Sequence, residues 1–434
     1  MSISSSLNAG VSGLNVNASK LATISDNIAN SGTYGYKRAD ADFSSLVLTQ
    51  REGSYAAGGV RVSSYRQVDA QGTLVSTSNS TDIAVGGRGM LPVTAESALD
   101  NRGGDLPLML VSTGSFEPDD QGYLLTASGL ALMGWPADVD GTIPTQPRDS
   151  AAGLEPVVVN RNQFAASPTT EMTIGANLPA EATQAGSTGT SLPISVEYFD
   201  NVGASHTLVA SFTPVVPTGS GQSNTWSLSI TDSATGPAPI ATYDVVFDSS
   251  TASGGSILSV TPTGAGTYSP TTGALTVNVA RGPIEITIGA PGAPSNLTQL
   301  SSEFAPTGVS KNGAPVGNLS GVEVDPNGFI IASYDTGFTR VIYQVPIVDV
   351  PNMNGLNALD NQAFAVSAES GPLYLWDAGE GPTGATVGFA REESTTDIAA
   401  ELTDLIQTQR AYSSNAKIIQ TVDEMLQETT NIKR

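Results

Sequence analysis

The chain contains no cysteine and a single histidine, His206. Disulfides, thiol catalysis and cysteine-built metal sites are therefore excluded. One histidine also argues against a Ser-His-Asp triad or a histidine-rich metal centre. Basic residues are scarce: 18 Lys and Arg stand against 41 Asp and Glu, for a net charge of −23. So acidic a chain does not offer the surface that nucleic acid or an anionic membrane requires, and neither is expected as a partner. Charged residues make up only 14% of the sequence, against about a quarter in typical domains. No apolar run approaches the roughly 18 residues of a membrane span. The N-terminus has no basic segment followed by an apolar one, so no cleavable secretory signal is visible. These absences leave a cytoplasmic protein, or one exported by a route without such a signal.

Helix breakers are missing from the ends. No proline precedes Pro92, none follows Pro382, and no glycine follows Gly388. In the last stretch Ile398, Leu405, Tyr412, Ile419 and Leu426 recur every seven residues, with Leu402 and Ala416 on the same side. Ser394, Thr395, Thr396 and Asp397 are N-cap types, so a helix is expected to begin among them and run to the C-terminus. It would be roughly 55 Å long. A narrow apolar seam at a heptad period needs a partner helix rather than a broad core. The partner is expected at the other end, where Leu7, Leu14, Leu21 and Ile28 repeat at the same period. Val11 and Ala18 lie one turn away, with Ser4 and Ser25 completing a column of small residues suited to close approach. Gly10 and Gly13 weaken this helix by about 1 kcal/mol each relative to alanine, so it needs packing in order to form. The pattern fits both a two-helix satellite on an enzyme and ends that pair and then polymerise.

Between the ends the sequence reads as β. Ser31–Tyr36 breaks the first helix, and residues 37–70 form a net-positive, weakly alternating arm. Short strands follow at 73–76, 82–85, 90–93, 108–113, 123–126 and 131–133. Between Arg161 and Arg281 there is no Lys or Arg, and Pro, Thr, Ser and Gly are dense around strands such as 194–199, 207–212 and 226–230. After about Leu300 short strands and basic residues return, with the turn Asp325-Pro326-Asn327-Gly328 and a long β run over 340–350. The expected fold class is α+β: a coiled-coil-like pair of terminal helices plus nested all-β domains of sandwich or barrel type. Residues 1–30 and 397–434 form the helical domain, and 31–72 with 376–396 a connecting arm. Residues 73–161 and 281–375 form a discontinuous β domain, and 162–280 an inserted outer one.

The chemistry of an enzyme is not found. Gly86-Gly87-Arg88-Gly89 lacks the Lys-Ser/Thr and the following helix of a phosphate loop, and reads as a tight turn. Asp119-Asp120-Gln121-Gly122 lacks the spacing and closing Glu of a calcium loop. Asp and Glu are scattered as surface charges, and His206 beside a strand reads as structural. No catalytic, cofactor-binding or metal-binding set is assigned.

The ends carry a resemblance. Asn8-Ala9-Gly10-Val11-Ser12-Gly13-Leu14, Ser25-Asp26-Asn27-Ile28-Ala29-Asn30 and Gly35-Tyr36-Lys37 form one signature. Glu401–Ile406, Gln409-Arg410-Ala411-Tyr412, Asn415-Ala416-Lys417 and Thr421–Leu426 form the other. Together they resemble the rod, hook and hook-associated axial proteins of the bacterial flagellum. Thr81–Gly87, Asn177-Leu178-Pro179 and 196–206 are similar to the hook members. The chain departs from the family at Gly388–Ser394, where the usual run is Gly-Ala-Leu-Glu-Ser-Ser-Asn-Val. The resemblance implies a structural subunit of a curved, flexible tube that transmits torque as a universal joint. It implies self-assembly into a helical polymer, with the rod protein, hook cap, hook–filament junction protein and export apparatus as partners. It also implies type III export to the flagellum outside the cell, without a cleaved signal. Leu7, Val11, Leu14, Ala18, Leu21, Ile28, Ile398, Leu402, Leu405, Gln409, Arg410, Tyr412, Asn415, Ile419 and Leu426 are the expected assembly and helix-packing residues. Alternatives are a distal rod or junction subunit of the same family, and a secreted β-rich adhesin.

Overall fold

A computed structural model describes residues 3–46, 58–99, 106–138, 141–159 and 164–432. Arg51 and Glu52 of the basic arm, Arg161 just before the expected insert and the side chain of Ser4 lie outside the described residues. The chain divides into two compact units, the first made of 1–160, 322–332 and 340–434, the second of 161–321 and 333–339.

The first unit holds both chain ends. Helix α1 spans Ile3–Ala29, a short α2 spans Glu96–Leu99, and α3 spans Ile398–Ile432. Asp397 is the N-cap of α3: its Oδ1 accepts the backbone N–H groups of Ala399 and Ala400 at 2.9 and 3.2 Å, satisfying donors that the helix itself leaves open. At 35 residues α3 is about 52 Å long. The weakly alternating arm forms a hairpin, with Ala39–Ser45 antiparallel to Val60–Arg66. Beyond it, strands from the two halves of the sequence pair. Leu74–Ser76 pairs with Ala390–Glu392, and Asp82–Gly86 with Ala385–Gly388. Ile347–Asp349 pairs with Tyr374–Trp376. The long β run expected over 340–350 is broken into Thr339–Gln344 and Ile347–Asp349. A core of Val68, Met90, Leu110, Met133, Trp135, Val348, Phe364 and Leu375 closes this β region.

The second unit is a β-sandwich. One sheet is a five-stranded antiparallel meander in sequence order from Leu192–Phe199 to Ile257–Pro262. Its inward residues alternate, as in Thr225–Asp232, where Trp226, Leu228 and Ile230 are buried and their neighbours half-buried. The other sheet is mixed. Glu171–Pro179 pairs in parallel with Gly282–Thr287 and Leu297–Leu300, and antiparallel with Ala305–Lys311. The inner faces of both sheets share one cluster that includes Ile174, Phe212, Trp226, Tyr243, Ile286 and Leu297.

This corrects the expected boundary at 280. Strands 282–287, 297–300 and 305–311 belong to the second unit, because they fill the pairing positions of Glu171–Pro179 and send Ile284, Ile286, Ile288 and Leu297 into its core. The cue for a boundary there is the return of Arg281 and Lys311, which are surface charges and carry no information about the core. Trp226 is fully buried, and its ring N–H donates to Gln299 Oε1 at 3.3 Å. Trp226→Ala is expected to destabilise this unit by about 3–5 kcal/mol, read as a lower urea midpoint for its unfolding.

Candidate assembly interface

Helices α1 and α3 pack antiparallel. Lys20 faces Asp404 at 3.8 Å, and Asn27 Nδ2 donates to Glu401 Oε1 at 3.0 Å. Gly10 and Gly13, which weaken α1 on its own, sit against α3. A Cβ at Gly10 would lie 3.1 Å from Ile419 Cγ1, and one at Gly13 would lie 2.8 Å from Asn415 Nδ2. The glycines exchange helix propensity for approach. On α3 the covered residues are Glu401, Thr408 and Val422, with Leu405, Asn415 and Ile419 half-buried. These recur at spacings of three, four and seven, as a helix–helix seam requires.

Of the residues expected to pack, Leu7, Leu14, Leu21, Ile28, Leu405, Asn415 and Ile419 are half-buried within the chain. Val11, Ala18, Ile398, Leu402, Gln409, Arg410, Tyr412 and Leu426 are exposed. The column of Val11, Ala18 and Ser25 therefore does not provide the close approach; the Gly10 and Gly13 column does. A period of seven alone does not say which of two neighbouring stripes faces the partner, and the glycines and Glu401 are the better guide.

The base of the helix pair is held by buried polar groups that a heptad pattern passes over. Glu401 is fully buried, and its Oε1 accepts from both Asn27 and the Arg38 guanidinium. Burial lowers the pKa of Arg38, but its bonds to Glu401 and then to Asp40 raise it further, so its charge is secure. Asn27 also exchanges both amide bonds with the Ala39 backbone at 2.8 Å. Lys37 and Glu392 form a second pair at 2.7 Å with side chains only 3% and 4% exposed. Lys37 also donates to Ala70 O, and Glu392 accepts the Gly72 N–H, each at 2.7 Å. Backbone bonds Gly35 N–H to Glu392 O and Thr395 N–H to Tyr36 O run the two arms side by side. The Tyr36 hydroxyl lies 2.9 Å from Asp26 Oδ2 and 3.1 Å from Asn27 Oδ1. Burial, then the bond to Asp26, pushes its pKa up to about 12.

In the second unit a cavity of about 400 Å³ is lined by Asp200, Arg281, Tyr198 and Glu285 among others. Asp200 is already engaged: its Oδ1 accepts Val202 and Ala204 N–H, and its Oδ2 meets Arg281 at 3.0 Å and His206 at 3.4 Å. Burial pushes this carboxyl up, but those bonds outweigh it and hold the pKa below the usual range. His206 leans on Tyr198, with ring centroids 5.5 Å apart. Among the described residues no group of side chains is placed to hold a metal ion.

Comparison with known proteins follows the same division. Residues 7–37 match the family described as Flagella basal body rod protein. Residues 161–314 match Flagellar basal body protein FlaE D2 domain, and 388–432 match Flagellar basal body rod FlgEFG protein C-terminal. Clamped terminal helices, a β region built from both halves and these matches define a flagellar axial protein of the rod-and-hook class. The flagellar hook protein FlgE of Brucella suis biovar 1 (strain 1330) is 33% identical over 441 residues, covering 100% of both chains. That of Rhizobium meliloti (strain 1021) is 31% identical over 436 residues, again covering 100% of both. The Escherichia coli (strain K12) protein of the same name is 28% identical over 98% of each chain. The chain belongs to the flagellar hook protein FlgE family. A crystal structure of Helicobacter pylori flagellar hook protein FlgE2 aligns with 72% of this chain and 98% of its own, at a TM-score of 0.48 and 14% identity.

Two outcomes are expected for the clamp. Lys37→Met leaves Glu392 buried without its cation and is expected to cost about 3–5 kcal/mol in denaturant unfolding. Lys37→Met with Glu392→Met is expected to recover most of that loss; a double variant as unstable as the single would contradict the assignment. Tyr36 stabilises the fold while protonated. Its contribution is complete below pH 10, its ordinary value, and is lost as pH rises toward about 12. Tyr36→Phe should remove that part of the alkaline loss of stability, measured by thermal unfolding from pH 8 to 12.

Proposed function

We propose that the chain is a structural subunit of the bacterial flagellar hook, without enzymatic activity. Copies polymerise into a curved, flexible tube that carries torque from rod to filament as a universal joint. The observation that carries this reading is the apolar surface that α3 leaves uncovered. After α3 has paired with α1, Ile398, Leu402, Ile406, Tyr412, Ile418, Met425 and Leu426 remain 40–54% exposed. So many large apolar side chains along one helix suit a polymer in which further helices cover them. The terminal helices accordingly form the inner tube, and Gln409, Arg410, Tyr412, Leu402 and Leu426 make contacts between subunits.

The expected neighbours at the two ends of such a tube are the rod protein and the hook–filament junction protein, with a cap at the growing end. The subunit reaches its place outside the cell through the flagellar export apparatus. Absence of disulfides and a helix pair that needs packing suit a chain that travels unfolded and orders on arrival.

Removal of residues from Ile398 onward is expected to abolish polymerisation of the purified protein, while the sandwich of 161–321 keeps its near-ultraviolet circular dichroism. Short curved tubes of normal length in electron micrographs of the truncated protein would refute the role given to α3.

A further inference from the structure

Phe389 has φ +54, in the left-handed region, and it is 41% exposed. A bulky aromatic is an outlier there, where glycine or asparagine would be unstrained. The backbone needs the turn: Phe389 O accepts the Thr77 N–H at 2.7 Å, between the strands Ala385–Gly388 and Ala390–Glu392, which pair with different partners. The turn does not need the ring, which fills no core. Ala390 and Glu392 turn inward and are buried, while Phe389 is exposed and Arg391 half-buried. The Arg391 guanidinium lies 4.0 Å from the centre of the Tyr34 ring, and Tyr34 is itself 38% exposed.

Arg391 is also short of partners. Lys37 and Arg38, which bond to this segment at Glu392 and Thr395, each meet a carboxylate. None of the ion pairs among the described residues includes Arg391, and its Nε is buried without a hydrogen bond. A strained exposed aromatic, an exposed tyrosine and a stacked, unpaired arginine make the composition found at the energetic centres of protein interfaces.

We infer that the Tyr34, Phe389 and Arg391 surface is a contact between copies of this chain, and that it receives an acidic, apolar-edged surface of the neighbouring subunit. Charge selects the occupant. Arg391 brings a positive charge without an ion-pair partner to this surface, on a chain of net charge −23, so another copy supplies the carboxylates that Arg391 lacks. The inference rests on the polymer proposed above and adds a specific surface to it.

Phe389→Gly separates this reading from a structural one, because glycine relieves the backbone while deleting the ring. In the full-length protein, Phe389→Gly is expected to leave the thermal midpoint unchanged or raised. Its critical concentration for tube formation should rise about tenfold or more, as for loss of an interface hot spot. Arg391→Gln is expected to raise the critical concentration and flatten its dependence on salt. Polymerisation of Phe389→Gly at the wild-type concentration would overturn the inference, and so would a lowered thermal midpoint that accounts for the defect. Failure of the wild-type protein to form tubes would instead overturn the functional reading.

Discussion

Two carboxylates taken out of water, Glu392 and Glu401, hold the ends of this chain together. Both come from the C-terminal arm and helix, and both meet cations from the N-terminal arm, Lys37 and Arg38. Removing a charge from water costs several kcal/mol, and a partner returns that only when geometry and further hydrogen bonds are good. Here the further bonds come from Ala70 O, Gly72 N–H and the Asn27 amide. Each is a link between segments remote in sequence. The arms cannot pack out of register without leaving a charge buried and unpaired, so everything beyond them, α1 and α3 included, starts from a defined point.

That starting point lets a weak helix pair suffice. The covered side of α3 is half polar, with Glu401, Thr408 and Asn415 among its residues, and α1 carries two glycines where the helices meet. Neither feature favours a helix in isolation. Seven large apolar side chains of α3 stay 40–54% exposed after it has paired with α1. A monomer built for solubility would bury them in its own pair. Their exposure is consistent with a helix whose full packing involves other subunits.

Much of this is legible in the sequence. Helices at both ends, the Asp397 cap and the inward-alternating strands of the sandwich are local signals, and the structure follows them. The rest depends on groups that local patterns misread. Glu401 reads as a solvent-facing residue of its helix because charged residues are seldom core. A boundary near 280 follows charge distribution, whereas strands 282–311 are placed by pairing with Glu171–Pro179, which no local window contains. The pairing of 39–45 with 60–66 leaves little trace in the sequence because the alternation is weak and the strands are largely exposed. At the interface, period alone finds the helices but selects the wrong small-residue column.

The buried pairs also explain how a sparse helix seam can have one register. Residues repeating every seven positions permit a slip of seven at modest loss, since small and apolar groups replace one another with little penalty. Such a slip would set Glu401 against the wrong turn of α1, away from Asn27 and Arg38, and leave its charge buried and unpaired. Likewise a shift of the arms by two residues would part Lys37 from Glu392. Buried ion pairs add little net stability over apolar packing, but they make the alternatives expensive. The motif residues Asn27, Tyr36, Lys37 and Glu401 belong to that alignment device, and the apolar heptads supply adhesion that the device directs.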